Sequence, residues 1–414
     1  MEPVQRDVAY RGFRTAADFA TGTFLGTELS GSGVILTDPV EQVGHTDAGT
    51  GITGTYDLAT WTSPPVTPGF TATEVIPSWT ADTPGNSWIQ VDLRGTTDTG
   101  TTTRWYTLAR WAADDTVIRR ASVPGQADAN GSVAADTLTT ASGCGVTDWQ
   151  LRVTLLRPSG TTLTPTLRSV GAAASGPACT VSTPSAVTAP GAVTGQAAPG
   201  TSAAGTGSRT ARGLTLDVPA FSQRTHAGHY PQWGGGGEAW CSPTSTSMVL
   251  AYWGVGPVPE DYAWVDRGDP RPMVDHAARQ CFDYAYQGAG NWPFNTAYAG
   301  RYGLDTFVTR LRSLAEAESF IASGVPLIVS ASYRRGEIPG LDYDTRGHLL
   351  VLVGFTAAGD PVLNDPYSPT DQTVRKPVDR NRFEAAWQGA SGGLVYVIRP
   401  ETVPLPAPPA QANW

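Results

Sequence analysis

One cysteine carries the strongest chemical suggestion in this chain. Cys241 stands in Trp240-Cys241-Ser242-Pro243-Thr244-Ser245-Thr246-Ser247-Met248-Val249-Leu250, shortly after four consecutive glycines, Gly234 to Gly237. The stretch reads as a helix that starts at or just after Cys241, with Pro243 in the first turn, where its missing N–H costs nothing. The free N–H groups of a helix start carry partial positive charge, which favours the thiolate, the form that attacks carbonyl carbon. They also suit the oxyanion that such an attack creates. The alternative is a structural cysteine, and a Cys241–Cys281 disulfide would exclude catalysis.

A nucleophilic thiol needs a base. Of His45, His226, His229, His276 and His348, the last has the best setting, between Gly347 and the apolar run Leu349-Leu350-Val351-Leu352-Val353. A strand edge holds an imidazole firmly and leaves one side of it open. Asp365 follows in Asn364-Asp365-Pro366, beyond a turn at Ala358-Gly359-Asp360 that can pair the two strands and bring their ends together. From there it could orient the imidazole and stabilise its cation. A turn-starting Asn-Asp-Pro is the alternative.

Other chemistry-bearing patterns are weaker. His226 and His229 could hold a metal with Cys241 or Asp217, but no second ligand pair has clear spacing, so no metal or cofactor is expected. Gly389-Ala390-Ser391-Gly392-Gly393 matches a serine-hydrolase elbow in letters only, because a helix precedes it and no histidine follows. Asp128-Ala129-Asn130-Gly131 lacks the closing Glu of a calcium loop and reads as a turn.

The elements that must position these residues fall into two halves. The chain has 414 residues, 40% of them apolar and 16% charged, enough for two or three cores. Its net charge of −9 and lack of a basic cluster argue against nucleic acid as a partner. Lys376 is the only lysine, which removes Schiff-base chemistry and phosphate-loop nucleotide binding. Residues 1–180 carry short alternating runs such as 88–93, 104–108 and 149–155, with turn signals including Asn130-Gly131, and predict an all-β sandwich. Residues 181–213 are Thr/Gly/Ala/Pro-rich and predict a flexible linker with a reach on the order of 30 Å.

Residues 214–400 predict an α+β domain. A short strand is expected at Leu214–Val218 and helices near 242–253, 273–286, 293–302 and 381–388. Ser313 and Glu316 form a capping box for a further helix stopped by Gly324. Residues 401–414, rich in Pro and Ala, are expected to be disordered. No apolar run reaches the roughly 18 residues of a membrane span. The opening MEPVQRDVAYRGF shows no signal peptide. Export to the extracellular space is still expected, from the linker and a disulfide, with the leader absent from a mature or trimmed chain.

The four cysteines allow three pairings, and Cys144–Cys179, flanking the last strands of the β half, is favoured. Cys281 reads as a small core residue. Gly237 and Trp240, beside the thiol, and Trp292 are expected to contact substrate, although Trp292, Phe294 and Tyr298 are of a kind that is more often core, the favoured reading. Trp61, Trp79, Trp88, Trp105 and Trp111 suggest peptide, glycan or cell-wall contact by the β half, with core packing the more frequent use.

Taken together, Val218-Pro219-Ala220-Phe221-Ser222-Gln223, Trp240-Cys241-Ser242-Pro243-Thr244-Ser245, Gly347-His348-Leu349-Leu350-Val351 and Asn364-Asp365-Pro366 resemble family thirty-nine of the cysteine peptidases. That family is papain-like, and its best-known members process bacteriocin leader peptides. The resemblance implies Cys241 as nucleophile, His348 as general base and acid, Asp365 as the orienting residue and Gln223 as a side-chain donor to the oxyanion. A β-sandwich, linker and peptidase domain is similar to secreted members with unassigned substrates. Leader-processing enzymes are usually fused to a transporter with an ATPase, which this chain lacks, so double-glycine cleavage does not carry over. The expected activity is peptide-bond hydrolysis through an acyl-enzyme. Acyl transfer on the same thiol, or a secreted binding protein that has lost activity, are the competing readings.

Overall fold

A computed structural model describes residues 6–31, 33–141, 143–177 and 211–414. Cys179, and the expected linker apart from residues 211–213, lie outside the described residues. Three antiparallel sheets and several helices make up a two-domain chain.

Alternation of apolar and polar residues builds the first half. One seven-stranded sheet runs Gly131–Ala134, Thr137–Thr140, Glu74–Asp82, Thr166–Pro177, Gly33–Leu36, Thr27–Ser30, with Arg6–Phe13 also paired to Thr166–Pro177. The other is centred on Val146–Pro158, which pairs with Trp88–Thr97 on one side and Thr53–Thr62 on the other. Trp61, Trp79, Trp88 and Trp111 are buried in this half. Trp105 is half-buried beneath the guanidinium groups of Arg94 and Arg152.

The second half is a six-stranded sheet in the order Asp305–Arg310, Leu394–Arg399, Leu327–Tyr333, Thr345–Phe355, Pro361–Asn364, Arg375–Pro377. The helices Cys241–Tyr252, Pro272–Cys281 and Trp292–Gly300 pack together, and the first lies against the strand Thr345–Phe355. Residues Ser242 to Leu250 are all buried, so this helix is enclosed on every side. Its serine hydroxyls are satisfied: Ser242 Oγ pairs with the Tyr396 hydroxyl at 2.9 Å, Ser245 donates to Leu349 O at 3.2 Å, and Ser247 to Pro243 O at 2.8 Å, whereas the buried Thr244 hydroxyl has no partner. Small serine side chains therefore let the helix seat close to the sheet with their own polar groups met.

The two halves share one core. Phe294 packs edge-on against Trp111 and Trp79, with centroids 5.3 and 6.0 Å away. The buried Arg120 guanidinium donates to Ala112 O, Ala113 O and Arg279 O at 2.8–3.0 Å. Asp115 accepts a two-pronged pair from Arg279 at 2.7 and 3.1 Å and a bond from the Tyr284 hydroxyl at 2.8 Å. Charges buried at such a contact are tolerable only because each is met by hydrogen bonds.

Several local expectations differ from what forms. The segment Leu214–Val218 is not a strand; it makes isolated bridges to the end of Thr345–Phe355, and Pro219 has no N–H with which to extend a ladder. The helix expected over 273–286 ends at Cys281, because the Asp283 carboxylate accepts from the N–H groups of Ala285 and Tyr286 and turns the chain. Ser313 makes no side-chain cap; Glu316 reaches back to Arg312, and Glu384 takes the Leu314 N–H at 2.6 Å. Asn130-Gly131 is an Asx-type turn on Asp128, and the hairpin reverses instead at Ala135–Asp136, where Ala135 has φ 50°.

Residues 401–414, expected to be disordered, are packed. Ala412 O accepts from the Tyr10 N–H at 3.1 Å. Asn413 is fully buried and donates to Arg310 O at 2.8 Å and Glu316 Oε2 at 2.9 Å, while Trp414 meets Phe320 edge-on at 4.9 Å. The last two residues supply the amide and the large ring that the Pro-rich stretch before them lacks. Deleting Asn413 and Trp414 is expected to cost about 2 kcal/mol or more, read as a lower midpoint in thermal or urea unfolding; an unchanged midpoint would show that the tail contributes nothing.

Candidate active site

Cys241 is the first residue of its helix. The first helical bond runs from Thr244 N to Trp240 O at 3.0 Å, which leaves the N–H groups of Cys241 and Ser242 free of the helix ladder. Its thiol is half-buried and free, and the fully buried Cys281 thiol is free as well, so no Cys241–Cys281 disulfide forms. Cys144 is also a free thiol, and its expected partner Cys179 lies outside the described residues.

Strand register brings the other two groups together. Val351 pairs with Asn364, so one step further sets Asp365 opposite Leu350, on the same face as His348. His348 Nε2 lies 2.9 Å from Asp365 Oδ1. The remaining ring nitrogen, Nδ1, is left for the Cys241 thiol, which is hydrogen-bonded to His348. Cys241, His348 and Asp365 are thus joined through the imidazole.

The electrostatics favour an ion pair. Burial pushes the Cys241 thiol up, but the hydrogen bond and charge of His348, with the N–H groups of Leu349 and Ser242, hold it below its ordinary value. Burial pulls His348 down, yet Asp365 and Cys241 raise it to about 9. Burial likewise opposes ionisation of Asp365, and His348 above all brings it to about 2. A helix start contributes roughly 0.3–1 kcal/mol to an anion. The hydrogen bond and charge of His348 outweigh every other group that lowers the thiol, so the histidine dominates. Cys281, with no such partner, is raised by burial.

Asp365 is held by more than the histidine. Tyr343 donates its hydroxyl to Oδ1 at 2.9 Å and the Tyr367 N–H donates at 3.0 Å. Oδ2 takes Lys376 Nζ at 3.2 Å and Ser368 Oγ at 3.3 Å. Tyr343 and Tyr367 also stand edge-on to the His348 ring, at 5.6 and 6.3 Å. Sequence reasoning missed Tyr343 and Ser368, which lie in loops without pattern. It noticed Lys376 only as the sole lysine, which was the available signal.

Gln223 is buried near these groups but its amide is engaged. Nε2 donates to Gly237 O at 2.9 Å and Glu238 O at 2.8 Å, which uses both of its hydrogens. Its backbone N–H binds Pro366 O at 2.8 Å, tying it to the loop of Asp365. The oxyanion donation that the resemblance implied is therefore not available in this geometry; Gln223 instead holds the chain just ahead of Cys241.

A cleft of about 690 Å³ opens on the thiol, lined by Cys241, Asp136, Trp292, Arg346, Leu349 and Ser391 among others. Its wall at 134–137 comes from the first half, a contribution no motif announced. Trp292 lines the cleft, whereas Phe294 and Tyr298 are core. Gly237 and Trp240 do not line it, which corrects their expected place against substrate. Trp240 is fully buried and donates to Trp233 O at 2.7 Å. A Cβ at Gly237 would stand 2.4 Å from Gln223 O, so this glycine serves close backbone packing. Asp217, exposed and 3.8 Å from Arg375, lies outside the site.

A thiol, an imidazole and a carboxylate joined at a cleft are the constellation of the cysteine-peptidase type. Comparison with known proteins gives the family: residues 9–175 match the Peptidase C39 N-terminal domain and residues 215–395 the Peptidase C39-like family. The chain belongs to the C39-like peptidases. It is similar to a Bacillus anthracis protein whose C39-like peptidase assignment is itself provisional, at 15% identity and TM-score 0.29, over 45% of this chain and 97% of that one. It is also similar to a structure concerned with promiscuous carbohydrate-binding modules of the β-sandwich superfamily, at 11% identity and TM-score 0.17, over 40% of this chain and 54% of that one. At these scores neither likeness bears on function. No curated protein matches the chain. At neutral pH, iodoacetamide is expected to alkylate Cys241 at least about tenfold faster than Cys281, followed by peptide mass mapping; equal rates would refute activation of the thiol.

Proposed function

We propose that this chain is a cysteine peptidase that cleaves peptide bonds through Cys241, His348 and Asp365. The observation that carries the reading is the His348 imidazole bound to Asp365 Oδ1 at 2.9 Å and to the Cys241 thiol, which itself lines an open cleft. In the resting pair the thiol proton resides on His348. Cys241 Sγ adds to the carbonyl carbon, and the carbonyl π electrons move to oxygen. The N–H groups of Cys241 and Ser242 at the helix start are the donors for that oxyanion. His348 then gives its proton to the leaving amine as the C–N bond breaks, which leaves a thioester. Water, deprotonated by His348, adds to the thioester and expels the Cys241 thiolate, and the new acid departs.

In this reading the first half, a β-sandwich over 1–180, acts as a wall of the cleft through residues 134–137. A linker over 181–213 joins it to a papain-like α+β domain over 214–400. Glycan contact through its tryptophans loses support, since four of the five named ones are buried. No helix among the described residues is long and apolar enough to cross a membrane. Export remains part of the proposal on the composition of the linker. Acyl transfer to an amine uses the same thioester, and product analysis in the presence of amines separates it from hydrolysis.

Peptide-library turnover tests the proposal. Cys241→Ala should lower kcat/KM at least about a thousandfold with the unfolding midpoint kept; retained turnover would sink the mechanism. For wild type, kcat/KM should fall as pH rises through about 9, where His348 loses the proton needed by the leaving amine. It should also fall on the acid side as the thiolate is protonated, giving a bell-shaped profile. Trp292→Ala should raise KM about tenfold and change kcat little, as expected for a cleft wall; the opposite split would remove Trp292 from substrate contact.

A further inference from the structure

A second cluster of titratable groups lies apart from the thiol. His226 ends the short turn Gln223–His226, and His229 follows three residues later. Asp275 comes from the helix Pro272–Cys281 and Asp269 from the loop before it. His226 and both carboxylates have no exposed side-chain surface, while the His229 side chain is 32% exposed. His226 Nδ1 lies 2.8 Å from Asp275 Oδ2 and 3.4 Å from Asp269 Oδ2. His229 Nδ1 lies 3.0 Å from Asp269 Oδ2 and 3.2 Å from Asp275 Oδ1.

Hydrogen bonding accounts for only part of this arrangement: His229 Nδ1 bonds Asp275 Oδ1 at 3.2 Å and the Arg271 N–H donates to Asp269 Oδ1 at 2.6 Å. His226 Nδ1, Asp269 Oδ2 and Asp275 Oδ2 are buried and have no hydrogen-bond partner despite these short separations. The atoms approach one another, but their angles point elsewhere. Four ligands at about 2.0–2.1 Å from a common centre in a tetrahedron stand about 3.3 Å apart. The observed separations, 2.8 to 3.4 Å, surround that value, and one ligand atom from each residue lies within 4.8 Å of all the others.

We propose that His226, His229, Asp269 and Asp275 bind one zinc ion. Two imidazoles select a borderline metal over calcium or magnesium, which take oxygen shells. Two carboxylates offset its charge in a place where bare anions are costly. With four protein ligands the site is closed and structural. It pins the segment between Gln223 and Cys241 to the helix Pro272–Cys281, and the half-exposed His229 gives the ion its way in. That segment is tightly built around His226, since a Cβ at Gly237 would stand 2.5 Å from His226 O. Neither Cys241 nor Asp217, the partners that spacing suggested for these histidines, belongs to the set.

The test is metal content of the full chain, loaded with zinc and dialysed, measured by plasma mass spectrometry. Wild type and Cys241→Ala should each retain about one zinc per chain, and His229→Gln and Asp275→Asn less than about a tenth of that. A chelator should lower the unfolding midpoint of wild type and leave that of His229→Gln unmoved. Cobalt-loaded wild type should show the intense visible bands of a tetrahedral ion, absent from His229→Gln. Wild type that retains no zinc and is indifferent to chelator overturns the proposal without any variant. Full zinc in both ligand variants also overturns it, by placing the ion elsewhere.

Discussion

The close seating of the helix Cys241–Tyr252 on the strand Thr345–Phe355 is the constraint on which the rest of the site depends. The thiol sits on the helix and the imidazole on the strand, so their contact exists only at this spacing. Serine side chains on the helix make it possible by returning their hydrogen bonds to nearby groups such as Leu349 O and Pro243 O. A larger apolar residue at Ser245 would part helix from strand and separate the thiol from its base. The core around the site is therefore tuned to distance before anything else.

Around that contact, polar groups are arranged so that charge is affordable at each point. Asp365 holds His348, and Tyr343, Ser368, Lys376 and the Tyr367 N–H hold Asp365. Gln223 and its neighbours tie the chain ahead of the nucleophile to the loop of the carboxylate. The first half closes one side of the same cleft, and the Arg120 and Asp115 contacts fix its position. A reading of the second half alone would describe a site with a wall missing.

The sequence made much of this visible, for identifiable reasons. Cys241, His348 and Asp365 were legible because each stands at the boundary of an element marked by local signals: Pro243 in a first helical turn, an apolar run after Gly347, and a turn before Pro366. The helices were legible too, though Asp283 ended one of them early and Glu384, from far along the chain, took the capping place expected of Ser313. The wall at 134–137, the support from Tyr343 and the burial of Trp240 depend on which surfaces meet, and no local pattern encodes that. Asn413 and Trp414 show the same limit, since a tail that reads as disordered is held by partners that lie about a hundred residues away in sequence.

Lys376 has a consequence of a practical kind. It bears the only side-chain amine in 414 residues, and that amine lies 3.2 Å from the carboxylate that orients the histidine. Acylating dyes, aldehyde cross-linkers and amine-coupled sensor surfaces, which on most proteins scatter over many harmless lysines, have one such target here. Reaction there would strip a positive charge from beside Asp365. Tethering this protein through its carboxylates or through an added tag leaves that charge in place.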